Sequence, residues 1–118
     1  MFTTFKALLV AAHFQPTIFV TAVSFLLARE LWWEGPAYII AVGVFFGQLV
    51  VGFTNDLNDF ADDKKHRRLE KPLVAGTITE KQLRKGIWVA LVLAIVINLF
   101  GPLGINGGLI YLFGIGCG

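Results

Sequence analysis

The stretch TNDLNDFADDKKHRRLEKP, residues 54–72, decides the fold because it ends a long apolar segment with a cluster of charges. Four aspartates come first, and five lysine or arginine side chains follow them. Residues 36–54, which lead into the stretch, contain no charged side chain. This pattern predicts a membrane-spanning helix that carries polar groups to the edge of the bilayer.

The composition is that of an integral membrane protein. Hydrophobic residues make up 56% of the 118 residues, and the mean hydropathy is +0.71. Only 15% of the residues are charged, against roughly 25% in soluble globular domains. The single Cys117 excludes an intrachain disulfide and supplies no metal cluster by itself. We therefore expect an all-α fold, a multi-pass transmembrane helical bundle, with no nucleic-acid partner.

The first apolar segment covers residues 7–28, which are uncharged apart from His13. About 20 apolar residues are enough to span the hydrocarbon layer. Pro16 should kink this helix or mark its true start, because proline has no amide donor. Trp32 and Trp33 then follow as expected interfacial anchors.

Three further apolar segments follow: residues 36–54, a third from near Leu83, and a fourth from near Ile105. The fourth rises only about 21 Å as a helix, against about 30 Å of hydrocarbon. We therefore expect the chain to be the N-terminal part of a longer protein, interrupted inside helix four. The glycine pairs 43/47 and 104/108 indicate either close helix packing or the general frequency of glycine in membrane helices.

The basic residues predict the topology. Eight of the ten lysines and arginines lie between Lys64 and Lys85, in the loop between the second and third predicted spans. Lys6 falls on the same side by alternation, whereas Arg29 falls on the other. By the positive-inside rule, the N-terminus and the aspartate-rich loop are expected in the cytoplasm.

The aspartates share a face if the second helix continues past Thr54. At 100° per residue, three of them fall within about 60° of one another: Asp56, Asp59 and Asp63. Gln48 and Asn55 border this face, and Asp62 lies farther round. Like charges at this spacing repel, so a compensating cation is expected.

Mg²⁺ is the cation that these residue types favour. It takes oxygen ligands and often joins one or two carboxylates to substrate phosphates, whereas softer metals lack nearby cysteines here. Basic side chains follow at once, among them Lys65, Arg68 and Lys71, and such cations bind phosphate oxygens. The stretch is either a metal–diphosphate site or a solvated loop that only sets topology.

The motif NDLNDFADD resembles the first aspartate-rich motif, Asn-Asp-x-x-Asp-x-x-x-Asp, of the UbiA superfamily of membrane prenyltransferases. The segment EKPLVAG is similar to the basic-Pro-Leu/Ile-x-x-Gly element of that family. AHFQPTIFVTAV and GQLVVGFTND are similar to a bacterial branch whose members often have no assigned acceptor. The likeness covers almost the whole chain, so residues 1–118 would be the N-terminal part of one such domain in a bacterial cell membrane.

The resemblance implies a nine-helix bundle around a cavity that opens to the membrane, with two aspartate-rich motifs. It implies that Mg²⁺ and the diphosphate of an isoprenoid donor are held by Asn55, Asp56, Asp59 and Asp63. Lys71 would contact the diphosphate. The chain departs from the family where it ends before a second motif, where Lys71 replaces a frequent arginine, and where HFQP replaces Arg-Pro. We interpret His13 as a helix-packing or interfacial residue.

The function expected from this resemblance is Mg²⁺-dependent transfer of a prenyl group from a polyprenyl diphosphate to an aromatic or other acceptor in the membrane. Asp56, Asp59 and Asp63 would be the catalytic carboxylates. A CDP-alcohol phosphotransferase is the second enzyme reading, but its Asp-Gly-x-x-Ala-Arg signature is missing. A divalent-cation transporter or a scaffold is the non-enzymatic one, and a transporter should hold its carboxylates near the bilayer midplane.

We predict that the 118-residue chain alone does not transfer a prenyl group, whereas a longer parent does, because the second motif and half of the bundle are missing. The measurement is Mg²⁺-dependent incorporation of a labelled prenyl group into membrane extracts. Turnover by the isolated 118 residues would overturn the expectation of a longer protein. A parent sequence without a second aspartate-rich motif would overturn the prenyltransferase assignment.

Overall fold

A computed structural model describes residues 2–31 and 35–118, and these residues form helices joined by short loops. The helices, in order, are α1 (Phe2–Ala11), α2 (Phe14–Glu30), α3 (Pro36–Lys65), α4 (Pro72–Ala75), α5 (Glu80–Phe100) and α6 (Gly104–Cys117). The predicted all-α class is confirmed. α3 and α5 are long and apolar enough to cross a membrane, and α1 with α2 makes a third candidate span if the bent pair counts as one. The expected anchors Trp32 and Trp33 lie outside the described residues.

The long helix α3 lies at the centre of the structure and contacts each of the other five helices. Its 30 residues rise about 45 Å, at 1.5 Å per residue. The hydrocarbon layer accounts for about 20 of those residues, which takes the helix from Pro36 to Asn55. The expected continuation past Thr54 is therefore confirmed, and the aspartates lie on the part that extends beyond an apolar span.

The kink expected from Pro16 in the first apolar segment is confirmed, and it divides the segment into two helices. α1 and α2 meet at a 65° bend, and His13 between them adopts a left-handed backbone conformation with φ of 49°. The cause is Pro16, which has no amide hydrogen to give to the carbonyl of Ala12 one turn earlier. The hydroxyl of Thr17 donates to that carbonyl instead, at 2.8 Å.

Glycines bring α3 close to α5 and α6. A Cβ on Gly43 would stand 2.9 Å from Oδ1 of Asn98, and one on Gly47 would collide with Tyr111 of α6. Gly108 lies against the backbone at Asn98 in the same way. Gly104 has open space around it and a φ of 65° at the start of α6, so it serves the turn and not the packing.

Two side-chain hydrogen bonds cross the apolar interior at this contact. Nδ2 of buried Asn98 donates across to the carbonyl oxygen of Gly43 on α3 at 3.2 Å. It also donates within α5 to the carbonyl oxygen of Ala94 at 2.7 Å. The hydroxyl of Tyr111 donates to the carbonyl oxygen of Val44 at 3.0 Å. Polar side chains that bond across helices hold them together where water does not compete.

The connection between α3 and α5, residues 66–79, folds back onto the bundle. Leu73 and Ile78 are buried in a cluster with Ala11 and Phe53. Thr79 starts α5 with a reciprocal capping box to Gln82, which satisfies amide donors at the helix terminus. The loop is therefore held by its own apolar side chains, and it places the basic residues that it carries.

The glycine contacts make a stability prediction. Gly108→Ala should destabilise the protein by about 1–3 kcal/mol, the usual cost of overpacking, because the new methyl group meets backbone atoms that cannot turn away. Gly114→Ala on the same helix is the control, since nothing lies within 4 Å of its Cβ position. It should be neutral or stabilising, because alanine favours helix over glycine. Unfolding in detergent measures both, and equal effects would contradict the packing.

Candidate functional site

Two of the predicted carboxylates are buried where α3 leaves its apolar part. Asp56 is 2% exposed and Asp63 is 3% exposed, two helical turns farther on. A carboxylate that loses water at this depth needs a cation or several donors nearby. Both aspartates obtain cations from the loop that follows them.

Lys71 lies between the two buried aspartates. Its Nζ is 2.5 Å from Oδ1 of Asp56 and 3.9 Å from Oδ2 of Asp63. Arg68 adds a second cation, with Nη1 3.1 Å from Oδ1 of Asp63. The repulsion expected along the helix is therefore relieved here by the chain's own lysine and arginine. The expected compensating charge is therefore present in the chain itself, and the Mg²⁺ prediction is a separate matter.

The local chain path explains how Lys71 reaches back across 15 residues. The amide of Arg68 donates to the carbonyl oxygen of Asp63 at 3.0 Å, and the amide of Lys71 donates to that of Arg68. Pro72 then starts α4, and buried Leu73 attaches this short helix to the bundle. Turn hydrogen bonds and one apolar anchor thus fix the position of the lysine.

His13 joins the same group from the break between α1 and α2. Its Nε2 is 3.3 Å from Oδ1 of Asp56 and 3.5 Å from Nζ of Lys71. The sequence predicts a packing or interfacial role for His13, and the structure places its ring among the charged groups. An ionisable residue inside an apolar segment is itself a signal of function, and this signal could have found it.

Gly52 allows the helix break to come so close to α3. A Cβ at this position would stand 2.7 Å from the carbonyl oxygen of Ala12 and 2.9 Å from its carbonyl carbon. Real Cβ atoms do not approach backbone to that distance. Gly52 thus helps to place His13 next to Asp56, which follows Gly52 by one helical turn on α3.

A cavity of about 310 Å³ opens beside this ion-pair group, between the helix break and α3. Its polar lining comes from His13, Thr17, Gln48, Asn55 and Asp59. Apolar atoms of Ala12, Pro16 and Val51 complete the wall. The aspartates of α3 therefore face different surroundings. Asp56 and Asp63 face the basic loop, whereas Asp59 faces the cavity.

Three further residues of the stretch are exposed. Lys65, at the end of α3, is exposed and makes no ion pair with any described residue. Asp62 is 72% exposed and lies 3.4 Å from Nδ1 of His66, which agrees with its expected position off the shared face. Asp59 is exposed, and the ion pairs of the described residues leave it without a cation.

The donor set suits a hard divalent cation in its chemistry. The key observation is that Oδ2 of Asp56 is buried and has no hydrogen-bond partner among the described residues. Asn55 and Asp59 add amide and carboxylate oxygens nearby, on the cavity wall. Over residues 2–31 and 35–118, no three acidic, histidine or cysteine side chains converge as a ready-made metal cage. Mg²⁺ needs fewer, since it usually keeps waters and shares phosphate oxygens.

Comparisons with known proteins do not identify the chain. A scan against protein-family models, a search of curated proteins and a search of solved structures each found no match. The interpretation of the site therefore depends on its residues and their arrangement.

We predict that Lys71→Met lowers the free energy of unfolding by about 3 kcal/mol, at the low end for a broken buried ion pair because Lys71 is partly exposed. Lys65→Met is the matched control, and it should change stability by no more than about 0.5 kcal/mol. Lys71→Arg should retain most of the stability, because it keeps the charge. Equal stability of the two methionine variants in detergent unfolding would show that the ion-pair group does not hold the loop.

Proposed function

We propose that this chain supplies the donor-binding part of a membrane prenyltransferase, which transfers a prenyl group from a polyprenyl diphosphate to an acceptor with the help of Mg²⁺. One observation carries the proposal. At the end of an apolar helix, buried carboxylates hold a lysine and an arginine next to a cavity lined by further oxygen ligands. Cation-binding and phosphate-binding groups therefore lie together where a lipid's headgroup would lie.

The residues divide into two roles in this proposal. Asn55, Asp56, Asp59 and Asp63 would hold Mg²⁺, and Lys71 with Arg68 would bind the phosphate oxygens. When bound, Mg²⁺ would neutralise charge on the diphosphate as it leaves. Lys65 is exposed at the end of α3, where it can add to the positive potential that attracts an anionic substrate.

The ion pairs give a reason for the site to be ready without its substrate. Lys71 and Arg68 are positioned by carboxylates, so little reorganisation is needed to aim them at a phosphate group. As the allylic carbon–oxygen bond breaks, these two cations would stabilise the negative charge that develops on the leaving oxygen. The apolar wall of Ala12, Pro16 and Val51 would limit the access of water to the cationic carbon.

His13 and Gln48 extend the proposal to residues that the family motif does not contain. Both line the cavity, and His13 also touches Asp56. They can orient a bound molecule by hydrogen bonds while Asp56 and Lys71 keep the imidazole in place.

Asp59 provides the test that separates chemistry from folding, because it is exposed and makes no ion pair with the described residues. In the full-length protein, Asp59→Asn should weaken Mg²⁺-dependent binding of prenyl thiolodiphosphates, which cannot be cleaved, by about 10-fold or more. Isothermal titration with donors of several chain lengths measures this without knowledge of the acceptor. Transfer activity should fall at least as much.

Asp62→Asn is the matched control, since Asp62 is an exposed aspartate three positions away and faces solvent. It should bind the donor analogues like the unmodified protein. If Asp59→Asn also binds normally, or if binding does not require a divalent cation, the prenyltransferase proposal is wrong. A membrane scaffold would then explain the charged stretch better.

A further inference from the structure

A second cavity lies on another side of α3 and has a different character. This groove, of about 380 Å³, is formed by α1, α3 and α5. Its lining includes Leu8 of α1, Leu49 and Phe53 of α3, and Gln82, Lys85 and Gly86 of α5. Around α3, its residues lie about 130° from those of the cavity that contains Asp59. The groove is therefore separate from the proposed donor site.

The groove is almost entirely apolar, and its two longest polar side chains lie at one end. Leu8, Leu49 and Val89 line the apolar part, whereas Lys85 and Gln82 lie at the end nearest the start of α5. Lys85 is exposed and is the last charged residue of the 118. It thus marks the boundary between the polar loop and the apolar remainder of α5, which is the level of lipid headgroups.

Gly86 gives the groove its depth. A Cβ at this position would stand 3.3 Å from the ring of Phe53 and 4.0 Å from Leu8. Any larger side chain would therefore occupy the space between α1 and α3. The adjacent Trp88 and Val89 are 66% and 53% exposed, so the groove is open towards the surroundings of α5.

We propose that this groove binds one acyl chain of an anionic phospholipid, with the phosphate group paired to Lys85. The charge decides between this occupant and another helix. An apolar helix laid over the groove would cover Lys85 and leave its ammonium without an anion, which is costly. A phospholipid fills the apolar part and brings the anion to the lysine at the same depth. The proposal does not depend on prenyl transfer.

The test compares lipids that differ in one property at a time. Purified, delipidated full-length protein is titrated with phosphatidylglycerol, with phosphatidylcholine of the same chains, and with a short-chain phosphatidylglycerol, and bound lipid is counted by native mass spectrometry. Phosphatidylglycerol should bind about fivefold more tightly than phosphatidylcholine, the effect expected of one lysine near the headgroups. The short-chain lipid should bind weakly, which separates a groove from a site for the headgroup alone.

Two variants remove the two halves of the site independently. Gly86→Leu fills the groove and keeps the lysine, so binding of both long-chain lipids should fall. Lys85→Gln keeps the groove and should abolish the preference for phosphatidylglycerol. The controls are Gly114→Leu, whose Cβ position has open space around it, and Lys81→Gln, which removes a basic residue of α5 that does not line the groove. Both controls should retain the binding of the unmodified protein.

Three results would overturn the proposal. Equal losses of phosphatidylglycerol binding in Lys81→Gln and Lys85→Gln would mean diffuse attraction to the basic loop. Unchanged binding by a folded Gly86→Leu protein would mean that no acyl chain enters the groove. Absence of bound phospholipid, together with a lower melting temperature for Gly86→Leu, would mean that protein covers this surface. If Gly86→Leu does not fold, the comparison of the two lysine variants still decides the matter.

Discussion

The ion pairs of Lys71 with Asp56 and Asp63 are the constraint on which the polar end of this structure depends. Two carboxylates are almost completely removed from water at the end of an apolar helix, which is tolerable only if a cation accompanies them. The lysine comes from a loop, so the need for its charge fixes the path of that loop. The buried side chains of Leu73 and Ile78 then attach the same loop to α1 and α3. Charge pairing and apolar burial thus act on the same loop and support one another.

A second constraint comes from proline and glycine acting at the same contact. Pro16 prevents the carbonyl of Ala12 from receiving its helical hydrogen bond, and the hydroxyl of Thr17 takes its place. Gly52 leaves room for that carbonyl against α3. The break is therefore stabilised on both sides, and it turns His13 from a residue in a continuous helix into a neighbour of Asp56. Backbone chemistry, rather than the histidine itself, positions the ring.

The sequence predicts those parts of the structure that depend on local chemistry. Hydropathy locates α3 and α5, and the absence of proline and glycine between Phe53 and Pro72 allows α3 to run on through the aspartates. The pairing of Lys71 with Asp56 could not be predicted, because it depends on how a loop of 14 residues folds. The angular spacing placed Asp59 on the same face as Asp56, yet 60° of rotation is enough to separate a buried position from a cavity wall. His13 was missed because the bend between α1 and α2 brings its neighbours to it. The periodicity of the sequence does not predict the angle of that bend.

The hydrogen bond from Asn98 to the carbonyl of Gly43 has a consequence for the vertical alignment of the helices. A change of register of α5 by one residue would move Asn98 about 1.5 Å along the helix axis and about 100° around it. Its amide would then lose the carbonyl of Gly43 in apolar surroundings, so one register is favoured over its neighbours. The loop that carries Lys71 connects these same two helices. An amide in the apolar interior thereby fixes the distance that this loop must bridge between α3 and α5 at the polar end.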